Sequence, residues 1–131
     1  MLNRRCFILA AATSVGATTS ISSAAVPVAP EEKTSLNVIY PAHDGARFDT
    51  QYYRSTHIPL AMKVMKAASV LLIEGVPNGS SVAPYKMIAH FQFATSAALT
   101  AALANPEMAQ VRADVANFTD IKPVVMLGKS V

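Results

Sequence analysis

Hydrophobic and polar residues alternate most regularly from Tyr85 to Phe93, in the segment YKMIAHFQF. Tyr85, Met87, Ala89, Phe91 and Phe93 fall on one side of an extended chain, with Lys86, Ile88, His90 and Gln92 on the other. That period of two predicts a strand with one buried face. Leu36 to Tyr40 (LNVIY) is a short β-branched and aromatic run stopped by Pro41, and it also predicts a strand. Ser69 to Ile73 and Lys122 to Gly128 (KPVVMLG) are apolar on both sides and complete a set of four. Asp44-Gly45 marks a turn after the first strand, and Gly75 to Ala83, with Pro77, Asn78 and Gly79, a loop before the third.

Helical spacing fills the remaining intervals. Asp49 is placed to cap a helix that starts at Thr50. Pro59 lacks the amide that would bond residue 55, so a break is expected after about Thr56. A second helical piece is expected from Pro59 to near Ala67, since proline suits a first helical position. Ser96 is expected to cap an Ala-rich helix ending near Asn105. Pro106 and Glu107 then open another, with Met108, Val111 and Val115 on one face. The order β-α-β-β-α-β predicts an α+β, ferredoxin-like domain with a four-stranded antiparallel sheet. Helices on one side leave the opposite sheet face open, yet two strands are apolar on both sides, which suits burial rather than water. A second copy covering that face is expected, giving a homodimer of the α+β barrel type.

The N-terminal 25 residues do not belong to this pattern. Arg4 and Arg5 precede an uncharged stretch from Cys6 to Ala25 that ends in Ser23-Ala24-Ala25, a small-residue cleavage pattern. Paired arginines followed by Phe7, Ile8 and Leu9 resemble a twin-arginine export signal, although Asn3 stands where Ser or Thr is commoner. The stretch is diluted by Thr, Ser and Gly, so no stable membrane anchor is expected. Residues 26–35, VPVAPEEKTS, read as a flexible leader, and residues 36–131 as the domain. The expected location is periplasmic or secreted.

Charge changes meaning once that signal is set aside. The whole chain has 11 Lys and Arg against 8 Asp and Glu. Without Arg4 and Arg5 the balance is 9 against 8, a net charge of +1. A nearly neutral domain with no basic cluster and no Trp is not expected to bind nucleic acid. Cys6 is the only cysteine and leaves with the signal, which removes disulfide, thiol and cysteine-metal chemistry from the domain.

The densest chemistry lies in FDTQYYRSTHIPL, Phe48 to Leu60. His57 has the right side chain for general acid or base work. Tyr53 stands four residues earlier on the same helical face and could orient it or share its proton. The alternative is structural, with His57 satisfying carbonyls freed by the break at Pro59. Of the adjacent Tyr52 and Tyr53, at most one shares the pocket of His57. Asp49 reads as a cap, with partnership to His57 as its weaker alternative, and Arg54 reads as solvated. His90 is a cavity histidine and a second acid/base candidate if its side of the strand faces the dimer barrel, and a hydrogen-bonded core residue if it faces the helices. His43 reads as an exposed loop residue. No two histidines have metal-ligand spacing, and no nucleotide, nucleophile-elbow or haem motif is present, so neither metal nor cofactor is expected. Phe118, within the turn NFTD, is expected to anchor that turn to the core, with Asp120 bonding nearby backbone.

ARFDTQYYRSTHIPL, APYKMIAHFQF and VANFTDIKPVVMLGKSV together resemble the EthD family of dimeric α+β barrel proteins, over Leu36 to Val131. The resemblance rests on Phe48-Asp49, Tyr52-Tyr53, His57, Pro59, His90 and Asn117 to Pro123. It implies a ferredoxin-like fold that dimerises through its sheets. The family is named after a protein linked to bacterial ether degradation beside a cytochrome P450 system and is loosely grouped with oxidoreductases. Some fungal relatives look like dehydratases or decarboxylases, and the wider superfamily holds cofactor-free monooxygenases, isomerases and cyclases. An export signal departs from the better-known cytoplasmic members. Two functions stay open on this reading. One is a cofactor-independent enzyme acting on a small apolar or aromatic molecule, of oxidoreductase, isomerase or dehydratase type, with His57 moving the proton and Tyr53 or His90 assisting. The other is a non-catalytic small-molecule binding or accessory dimer.

Overall fold

The computed structural model describes residues 33–131 and the isolated Gly16. The segment read as an export signal and most of the leader therefore lie outside the described residues. Four strands form one antiparallel sheet in the order β2-β3-β1-β4: β1 Thr34–Pro41, β2 Ser69–Glu74, β3 Tyr85–Phe93 and β4 Val124–Lys129. Strand β1 begins two residues before the expected start of the domain, because Thr34 and Ser35 pair with both Phe93 and Gln92 on β3 and Lys129 and Gly128 on β4. The β-α-β-β-α-β order and the ferredoxin-like α+β class are as the sequence pattern predicts.

Alternation divides the sheet cleanly. Leu36, Tyr40, Met87, Ala89, Phe91 and Phe93 are buried against the helices. Ile39, Ile88, His90 and Gln92 point away from them, in register with Leu71, Ile73, Val124 and Met126 of the edge strands. Burial of the first set supplies the hydrophobic drive for docking the helices.

The expected break at Pro59 does not occur. Helix α1, Thr50–Tyr52, runs into a π-helical turn, Tyr53–His57, and then α2, Ile58–Met65, without leaving helical dihedrals. The Ile58 amide donates to the Tyr53 carbonyl, five residues back. One additional residue is thereby absorbed just ahead of the proline, as π turns do. Pro59 then sits in the first turn of α2, where a missing amide is tolerated. Lys66, with φ of 52°, closes the helix in the left-handed region, one residue before the expected end at Ala67.

Helices α3, Ser96–Ala104, and α4, Met108–Phe118, follow β3. The cap of α3 is Thr95 rather than Ser96: its hydroxyl accepts from the Ala98 amide at 3.1 Å, and its backbone is extended. Asp49 caps α1 as expected, accepting from the Tyr52 amide at 3.0 Å.

A buried Phe118 anchors the turn after α4. The Arg47 guanidinium donates to the carbonyls of Ala116 (2.9 Å) and Asn117 (3.4 Å), placing a cation on the α4 C-terminus. The Asp49 amide donates to the Phe118 carbonyl at 2.7 Å, and Asp120 accepts from the Arg47 amide at 3.0 Å. These ties clamp the end of α4 to the segment that begins α1, and they set the geometry of the site.

Candidate functional site

Tyr40, Phe48, Tyr53 and Phe118 pack edge to face or tilted with ring centroids 4.9 to 5.9 Å apart. Against this cluster lies the His57 imidazole, 4.5 Å from the Phe118 centroid and stacked at 16° on Tyr53. The residue itself is 5% exposed. Its Nδ1–H donates to Asp114 Oδ2 at 2.8 Å. Asp114 is 12% exposed and is held by two further donors, Tyr52 OH at 2.7 Å and Asn117 Nδ2 at 2.9 Å, both on Oδ1.

The electrostatics follow from that arrangement. Burial pushes the His57 imidazole below its ordinary 6.5, and the Asp114 carboxylate offsets this only in part. Burial alone would raise the Asp114 carboxyl. The donors on Asn117, Tyr52 and His57 outweigh it, and Asp114 ends below its ordinary 3.8. The pair at neutral pH is therefore a neutral imidazole with Nδ1 protonated, beside a carboxylate. Nε2 is left as the basic nitrogen, and the carboxylate stands ready to stabilise an imidazolium.

A cavity of about 140 Å³ opens between the helices and the sheet, lined by His57, Tyr40 and Tyr53 among apolar neighbours such as Leu36, Phe91 and Val111. That is about the volume that holds a single benzene-sized ring. Burial raises both tyrosine hydroxyls above their ordinary value, so at neutral pH they serve as hydrogen-bond donors and not as bases.

The structure brings His57 and Tyr53 to one cavity, and Tyr53 touches the imidazole by stacking. His90 lies elsewhere. It occupies the sheet face turned away from the helices, opposite Asn37 and Leu71, with its Nδ1 donating to Asn37 Oδ1 at 2.6 Å. The sheet separates it from His57. The carboxylate partner of His57 is Asp114 and not Asp49. Tyr52 also enters the network, through Asp114. Arg54 and His43 are exposed. Among the described residues no three His, Cys, Asp or Glu side chains are grouped to hold a metal ion.

The EthD domain family matches residues 45–122, more than half of the chain, including Tyr52, Tyr53, His57, Asp114 and Asn117 of this site. The chain belongs to the EthD family. The fold agrees with solved structures of that kind. An EthD-like protein from Ralstonia eutropha JMP134 is 26% identical, with a TM-score of 0.69 over 75% of this chain and 91% of its own. An ethyl tert-butyl ether d (EthD) family protein from Bacillus halodurans C-125 is 17% identical, with a TM-score of 0.61 over 76% of this chain and 99% of its own. A protein from Arabidopsis thaliana shares the fold at 16% identity, with a TM-score of 0.54 over 76% of this chain and 95% of its own. No curated protein matches the chain. Membership gives the EthD chain its fold, and the geometry around His57 is what speaks to chemistry.

Proposed function

We propose that this EthD protein is a cofactor-independent enzyme that moves a proton on a small apolar or aromatic molecule bound between sheet and helices. The observation that carries this reading is the buried His57–Asp114 pair at the wall of an apolar cavity of about 140 Å³. In the proposed step Nε2 takes a proton from a carbon or oxygen acidified by a neighbouring carbonyl. Asp114 stabilises the imidazolium, and the proton returns at another atom or leaves with a departing hydroxide as water. That is isomerase or dehydratase chemistry, with Tyr53 or Tyr40 donating to the developing oxyanion. The apolar lining equally suits a binding or accessory protein, the second reading. Export by the N-terminal signal and dimerisation through the open sheet face complete the proposal. They are supported by the Arg4-Arg5 pattern and by exposed Leu71, Ile73, Val124 and Met126.

Deuterium exchange at carbon separates the two readings before the physiological substrate is known. Small aryl ketones that shift the His57 resonance should exchange their α-protons in D2O faster with the native protein than with His57→Gln. Ketones that bind without His57-dependent exchange would leave only the binding function.

A further inference from the structure

Among the described residues Arg112 is the only permanently charged side chain on the cavity lining. It stands on the face of α4 that carries Met108, Val111 and Val115, at the spacing of i, i+3, i+4 and i+7 from Met108. Those three apolar residues line the cavity interior, whereas Arg112 is exposed and marks its rim with Pro123 and the 58% exposed Val125. No acid stands three or four residues from Arg112 on its helix. Asp114, two residues on, is occupied by His57, Tyr52 and Asn117. Among the described residues the ion pairs are His57–Asp114 and Lys86–Glu74, neither of which uses Arg112.

We infer that the molecule accepted by this cavity is a single-ring aromatic carboxylate, with its ring inside and its carboxylate on the Arg112 guanidinium at the mouth. This deepens the proposed function and rests on the cavity being the substrate site. Inside, a carboxylate would meet only the neutral Tyr40, Tyr53 and His57 side chains among apolar neighbours, and these do not repay the desolvation of a full charge. At the mouth the anion keeps part of its water and gains a planar fork of donors matched to a carboxylate. The arrangement fixes the direction of entry, so that the end of the ligand away from its carboxylate leads into the cavity that His57 lines.

Benzoate and its neutral isostere benzamide test this with the purified full-length protein, by NMR titration at neutral pH and fixed salt. The native protein should bind benzoate roughly ten-fold or more tightly than benzamide. Arg112→Gln should erase that preference by weakening benzoate far more than benzamide, while Arg112→Lys keeps part of it. Raising the salt should shrink the preference, as screening of a rim charge requires. Equal binding of the two ligands by the native protein overturns the anionic end and retains the cavity, as does a preference that survives Arg112→Gln. Failure of both ligands to perturb His57 overturns the cavity reading and the inference together.

Discussion

At the residue scale the site turns on which nitrogen of His57 holds the proton. A buried imidazole with only a carboxylate at Nδ1 is fixed in one tautomer, and the same carboxylate limits how far burial lowers its basicity. Replacing Asp114 with Asn removes the anion while keeping a similar shape. The His57 resonance should then titrate at still lower pH than in the native protein, itself below 6.5. An unchanged titration would show that the carboxylate has no electrostatic hold on the ring. Stability follows the same sign. Both folded-state values are lowered, so the unfolded chain binds protons more readily in acid. The His57 contribution is complete above about pH 6.5 and is lost as pH falls through its lowered folded value; that of Asp114 is lost later, below about 3.8. Denaturant midpoints should therefore fall from pH 7 toward 5, and His57→Gln should flatten that decline. His57 and Tyr53 were legible from helical spacing. Asp114 was not, because its partner lies 57 residues away and nothing on α4 distinguishes it from a solvated acid. The ties of Arg47 and Asp49 to the α4 C-terminus, with Phe118 buried beside them, hold α4 where the two meet.

At the scale of elements, alternation located β3 to the residue and apolar runs placed the other strands within two residues, while proline and caps located the helices less well. The sequence signals a disturbance before Pro59 but does not say whether the chain breaks or widens. Packing decides. The wider turn keeps Tyr53 and His57 both buried and leaves Arg54 in water, whereas a true break would surrender the stacked pair. At α3 two adjacent hydroxyls compete for one cap, and the extended backbone of Thr95 gives it the role. Thr95→Ala should lower stability by about 1 kcal/mol, and Ser96→Ala should change it little; the reverse order in chemical denaturation would contradict the assigned cap. Gly75 has a different necessity. A methyl group there would overlap the Tyr85 carbonyl oxygen where the chain leaves β2, and backbone cannot swing aside. Gly75→Ala should cost roughly 1–3 kcal/mol by the same measurement.

At the scale of the molecule, the sheet face away from the helices carries an exposed apolar set, which is what the proposed dimer would cover. Leu71, Ile73, Val124 and Met126 are each about half exposed, from 47% to 58%. The polar string around Asn37 is already paired within one chain. Asn37 accepts from His90 and donates to Ser35 Oγ at 3.1 Å and to the Met126 carbonyl at 3.2 Å. A buried polar string costs little on association when its hydrogen bonds are complete beforehand. Gly128 makes room for it, since a side chain there would press on Ser35 and Asn37. A second copy meeting this face would bury the apolar residues over a string in which Asn37 is already paired. The protein should then sediment as a dimer at micromolar concentration. Met126→Asp adds a charge on the β4 side of the face, beside Asn37 of β1, while leaving the helix-packed core untouched. It should raise the dissociation constant roughly 30-fold or more, with the circular dichroism spectrum unchanged. Because the cavity at His57 lies on the other side of the sheet, the variant should bind small aromatic ligands as the native protein does. A native monomer under these conditions would remove the dimer. A loss of ligand binding in step with dissociation would instead show that the cavity depends on the partner copy.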